Sequence, residues 1–267
     1  MKYIGSVIPV LISIFFLSCQ SEYTKNKTIL QAETVVLTFP DSAFRLLKTI
    51  PHPENLSKAD YAAWCLQFSH VQYKLNQDIT SDRIIQVAVN YYENSRLDKQ
   101  SGTAYYLLGC ILQKNNEYKE AMIAYKKAEY ILKSTENRDL KGLVDFKIGY
   151  LYMLEETFNE SLIYFKKSLN YFISTKNFKY QAYAYREISD IYYQLNYPFQ
   201  KVMNLSNRAL KLSKQSGDSL NYYSILGQQG EMLFDKNYFL AKEFLLKGYN
   251  YFPLLRPNYA SLFLLLS

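Results

Sequence analysis

Few residues in this chain could do acid–base, nucleophilic or metal chemistry, and they are poorly grouped. The 267 residues include two histidines, His52 and His70, and three cysteines. There is no His-Glu-x-x-His helix to carry a catalytic zinc. A Gly-x4-Gly-Lys-Ser/Thr phosphate loop and a Gly-x-Ser-x-Gly nucleophile elbow are also missing. Glu155 and Glu156 are adjacent, but they fall where a helix should end and suit a solvated turn better than an acid/base pair. His70 lies beside Ser69 on an expected helix, open to a groove or ligand role but better suited to a partly exposed structural one. Cys65 and Cys110 lack metal-ligand spacing. An oxidising compartment would permit a disulfide between them, while two free thiols packed as small hydrophobes is the simpler reading. No enzyme, metal or cofactor is therefore expected. What remains is noncovalent chemistry: an Arg186–Asp190 pair at i,i+4 set among large aromatic side chains, a combination common in binding hot spots.

The elements that must position those residues announce themselves by repetition. Gly109, Gly149, Ser189 and Gln229 fall 40 residues apart. The small residues Ala121 and Ser161 each follow their glycine by 12. In the third unit the second helix, with Val202, Ser206 and Ala209, is displaced by one residue near Pro198. Stepping back one period from Gly109 reaches Ser69, so Trp64 to Glu93 reads as a diverged unit, and Gln31 to Leu47 as a short first pair. Two helices that cross closely need a small residue at the contact, with a large ring filling the space beside it. The polar clusters Ser134 to Asn137, Ser174 to Asn177 and Lys214 to Asp218 suit helix ends. A fixed period of this size marks a solenoid, in which each unit buries its apolar face only against its neighbours.

At these positions the chain resembles tetratricopeptide-repeat proteins. The best copy reads Tyr105-x2-Leu108-Gly109-x2-Leu112 followed by Ala121-x3-Tyr125-x2-Ala128. The next reads Asp145-x2-Ile148-Gly149-x2-Tyr152 followed by Ser161-x3-Phe165-x2-Ser168. The resemblance implies an all-α fold, a right-handed α-α superhelix of helical hairpins over residues 27–252. The period exceeds the family's usual length of about 34 residues. The helices should therefore be longer than standard. The family binds peptides on the concave face lined by the first helix of each pair, at positions 2, 5, 9, 12 and 13 when the marker Gly is 8. By position alone this nominates Tyr106, Phe146, Tyr150, Met153, Tyr183, Arg186, Asp190 and Tyr193. The Lys-Asn-Asn clamp that grips C-terminal carboxylates in some members is absent from the four clear units. The face is instead aromatic and apolar, open to an amphipathic helix or hydrophobic peptide, or to burial by a tight superhelical twist.

The N-terminus sets a compartment. Ile4 to Phe16 is almost wholly apolar and follows a short charged start, the pattern of a secretory signal. It ends Phe16-Leu-Ser-Cys19, which resembles a bacterial lipobox with Phe16 where Leu is usual. The resemblance implies a signal peptide over 1–18, lipidation at Cys19, a polar tether over 19–26 and attachment to an envelope membrane. The chain carries a formal charge of +7. With an export signal present, that charge does not point to nucleic acid. The repeated Lys126-Lys127 and Lys166-Lys167 pairs suit a solvated outer face. After Pro253, residues 253–267 form an apolar segment that could cap the array, dock a partner or begin a truncated repeat.

Three functions stay open: a lipid-anchored module binding a peptide or protein, the sensor region of a regulator without its output domain, and a glycan- or nutrient-binding lipoprotein.

Overall fold

The computed structural model describes residues 23–79 and 81–251. The expected signal peptide, Cys19 and the apolar segment over 253–267 lie outside the described residues. Among the described residues twelve α-helices form six hairpins: α1 (Lys27–Val35) with α2 (Pro40–Lys48), α3 (Lys58–Lys74) with α4 (Arg83–Tyr92), α5 (Asp98–Lys114) with α6 (Tyr118–Leu132), α7 (Arg138–Leu154) with α8 (Phe158–Ser174), α9 (Phe178–Gln194) with α10 (Phe199–Gln215), and α11 (Ser219–Leu233) with α12 (Tyr238–Tyr251). This is the expected α-α superhelix, and six of its helices run to 17 residues. Each even-numbered helix also packs on the next odd-numbered one. Odd helices touch one another directly, as α1 with α3, α3 with α5 and α9 with α11, so they line the inner side of the curve.

The turns carry the same period as the sequence. Asn76, Asn116, Glu156 and Asn196, 40 residues apart, all adopt positive φ just after an odd helix. Three are asparagine, which tolerates this left-handed conformation; Glu156 at φ 56° does not gain that relief. The side chains of Asn137, Asn177 and Asp218 accept backbone N–H bonds at the starts of α7, α9 and α11. These caps occupy the polar clusters expected to end helices.

The small marker residues sit at close crossings. A Cβ on Gly109 would fall 2.5 Å from the Tyr125 ring, and one on Gly149 would fall 3.2 Å from Phe165. Ser161 at the facing position donates its hydroxyl to the Gly149 carbonyl at 2.8 Å, so its burial leaves no unpaired polar atom. In the third unit Ser189 donates to the carbonyl of Val202 at 3.0 Å, one residue further along, which confirms the displacement at Pro198. In the last hairpin the tight approach is made by Gly230 against Leu245, not by Gln229, whose amide donates instead to Ser206 and Asn207.

Two expectations change. Residues 23–26, read as part of a tether, are docked: Tyr23 donates to Glu33, Thr24 is buried against Asp60, and Asn26 caps α1. The paired lysines are more than a solvated face, because three of the four tie consecutive hairpins together. Lys127 meets Glu93 at 3.3 Å, Lys167 meets Glu129 at 2.7 Å and Asp145 at 2.9 Å, and Lys126 bonds Tyr164. Cys65 and Cys110 are buried free thiols, and burial pushes the Cys65 pKa up to about 12, which leaves it unreactive.

Candidate functional site

Two parts of the inner side carry polar side chains. The first is a cavity of about 230 Å³ where α1, α3, α5 and α7 meet. Helix α3 contributes Leu66, His70, Tyr73 and Lys74, spaced so that they share one helix face. Lys99, Thr103 and Tyr106 do the same on α5, and Asp139, Leu140 and Leu143 on α7. Glu33, Val36 and Leu37 close the end nearest α1. The surface the cavity exposes is mostly apolar, with polar side chains contributed from α1, α3, α5 and α7, a make-up suited to a ligand site.

The charges in this cavity are unevenly satisfied. Glu33 accepts the Tyr23 hydroxyl and faces Lys99 at 3.8 Å. Asp139 accepts from Thr175 at 2.7 Å and Asn177 at 3.1 Å. His70 is pushed down to about 4 by burial and by the charge of Lys74, so it is neutral at physiological pH. Burial, and then Lys179, lower the pKa of Lys74. Burial raises the Tyr106 phenol well above its ordinary value, so it too is neutral.

The second part lies on α9 and α11. Here Arg186 takes Glu187 as its ionic partner rather than Asp190, correcting the i,i+4 pair expected from spacing. The guanidinium also donates to Asn221 on α11 at 2.8 Å and lies 5.1 Å from the Tyr183 ring. Asp190 is pushed up to about 6 by burial and by nearby Glu187, with hydrogen bonds from Gln228 and Gln194 offsetting only part of that. Phe146 packs edge-on against Phe165 and Tyr183. Phe146, Tyr150, Met153 and Tyr193 are half-buried against an apolar core cluster that runs from Leu162 to Met232. Of the eight residues nominated by position, only Tyr106 lines the cavity.

Sequence reasoning passed over Tyr73 and Lys74, and it weighed a groove role for His70 but favoured a structural one. The signal was present: with Ser69 as the marker of its unit, they occupy positions 9, 12 and 13, and Leu66 occupies position 5. The same rule also reached Thr103 and Leu143. Among the described residues no cluster of His, Cys, Asp or Glu is arranged to hold a metal ion, and no helix is long and apolar enough to cross a membrane.

No family model matches the chain. It is 26% identical over 141 residues to a transcriptional activator, NprA, of Geobacillus stearothermophilus, covering 52% of this chain and 34% of that one. Among solved structures it resembles aspartyl phosphate phosphatase F from Bacillus subtilis, with TM-score 0.64, 14% identity and coverage of 85% of this chain and 59% of that one. It also resembles a Rap protein solved in complex with Competence and Sporulation Factor, with TM-score 0.67, 16% identity and coverage of 85% and 64%. The likeness to the solved structures extends to the fold. The chain spans about a third of the curated relative and under two thirds of either solved chain.

Proposed function

We propose that the chain is a non-catalytic binding module that captures a short peptide or a protruding segment of a partner protein in the cavity between α1, α3, α5 and α7. The observation that carries this is the cavity itself: it joins four successive inner helices, exposes a mostly apolar lining, and holds Lys74, which has no ionic partner among the described residues. A groove of this kind recognises an extended or helical segment by anchoring apolar side chains and orienting them with a few polar contacts. The similarity to a solved complex with Competence and Sporulation Factor supports the same reading by fold analogy. A photo-crosslinking residue at Thr103 tests it. Capture of a partner at Thr103 but not at the exposed Lys211 of α10 is expected. Equal capture at both sites would refute it.

We further propose that Cys19 anchors the module by lipid to the bacterial cell envelope, on the strength of the Phe16-Leu-Ser-Cys19 motif. Cys19→Ala should move the protein from the detergent phase to the aqueous phase. An unchanged partition would refute the anchor.

A second reading is the sensor region of a signalling or transcriptional regulator, favoured by the 141-residue match to a transcriptional activator. The two readings share the cavity and differ in what ligand binding is coupled to. Genomic sequence running in frame past codon 267 into an output domain would favour the second.

A further inference from the structure

The cavity contains a cation that the fold leaves without a counter-ion. Lys74, in the last turn of α3, has no hydrogen-bond or ionic partner among the described residues, although burial and Lys179 both weigh against its charge. The equivalent residue one period later, Lys114, shows what such a lysine does when its role is structural. It donates to the carbonyls of Asn76 at 3.3 Å and Gln77 at 2.6 Å, closing the turn after α3. Lys147 of α7 lies 5.8 Å from the ring of Tyr73 and also lacks a carboxylate partner among the described residues. Lys179 of α9 is paired, with Asp218 at 3.4 Å. The cavity carboxylates Glu33 and Asp139 are already engaged, by Tyr23 and Lys99 and by Thr175 and Asn177. An unpaired, partly desolvated ammonium is costly unless an anion meets it.

We propose that Lys74, supported by Lys147, receives a carboxylate of the captured peptide, while Leu66, Leu140 and Leu143 hold its apolar side chains. This deepens the peptide-binding reading and rests on it. The carboxylate could be the peptide's C-terminus or an Asp or Glu side chain, because the chemistry at Lys74 is the same. Neutral His70 offers a hydrogen-bonding group beside it without competing for the anion.

The test uses the full chain and a degenerate hexapeptide library in three forms: free acid, C-terminally amidated, and free acid without Asp or Glu. The probed proteins are wild type, Lys74→Gln, and Lys211→Gln as an exposed control. Wild type should enrich carboxylate-bearing peptides, and Lys74→Gln should hold them on the order of tenfold to a hundredfold more weakly, as expected for a lost bond to a charged group. Loss of enrichment in the amidated form identifies the C-terminus as the source; loss in the form without Asp or Glu identifies a side chain. Lys74→Gln should leave the unliganded Tm unchanged or raised, whereas a lysine kept only to complement the α3 dipole would lower it on removal. Peptides retained equally by wild type and Lys74→Gln, without acidic preference, would overturn the carboxylate assignment and leave peptide binding standing. No enrichment by wild type in any form would overturn peptide binding and this assignment with it.

Discussion

The cavity between α1 and α7 and the network on α9 and α11 are built from the same repeat, yet they treat their charges differently. On α9, Arg186 is locked between Glu187, Asn221 and the Tyr183 ring. In the cavity, Lys74 has no such partners among the described residues. The core divides in the same way, one apolar cluster running from Ile29 to Leu151 and the other from Leu162 to Met232. Polar groups that satisfy one another hold hairpins together; polar groups left open at a cavity are available to a ligand. Sequence position treats both as concave-face residues, and only the partners distinguish them.

The sharpest way to break this contrast is to remove each cation. Arg186→Ala leaves Glu187 as a buried charge without its partner and should destabilise the fold by about 3 kcal/mol. Lys74→Gln should cost nothing measurable in the same urea titration. A larger loss from Lys74→Gln than from Arg186→Ala would reverse the roles assigned to the two regions.

The next effect is in pH, where the two regions oppose one another. Asp190 has a folded pKa raised from 3.8 to about 6, so its contribution to stability falls as pH rises across that interval. His70 has a folded pKa lowered from 6.5 to about 4, so its contribution falls as pH drops across that interval. Relative to wild type, Asp190→Asn should therefore gain stability between about pH 4 and pH 6 on going up, and His70→Gln on going down, each by about 1 to 3 kcal/mol. Denaturation of both variants at several pH values checks the signs; slopes of the same sign would contradict the environments described.

The smallest effect concerns the turn between the two regions. Glu156 holds positive φ where the equivalent residues are asparagine. Glu156→Gly should stabilise the protein by about 0.5 to 1 kcal/mol by relieving that strain. A destabilisation would mean that the Glu156 side chain contributes more than its backbone costs.

Much of the architecture is legible without coordinates because it depends on local, periodic features. Gly109 and Gly149 mark close crossings, Asn137 and Asn177 mark helix starts, and the extra residue near Pro198 appears as a shift in spacing. The diverged unit is harder to read, since Ser69 replaces glycine and its helix lacks the family's signature, yet it supplies His70, Tyr73 and Lys74 to the cavity. The partner of Arg186 is not legible at all. A spacing of four suggests Asp190, but Asn221 and Tyr183 hold the guanidinium beside Glu187. Spacing along one helix carries no information about what a neighbouring helix donates.

The central claim is that the partner segment enters the α1–α7 cavity and not the α9–α11 face. Hydrogen exchange with and without a peptide retained from the degenerate library tests it most directly. Slowed exchange on the facing stretches 66–74 of α3 and 99–106 of α5, with 183–193 unchanged, is the predicted result. Slowed exchange confined to 183–193 would contradict it.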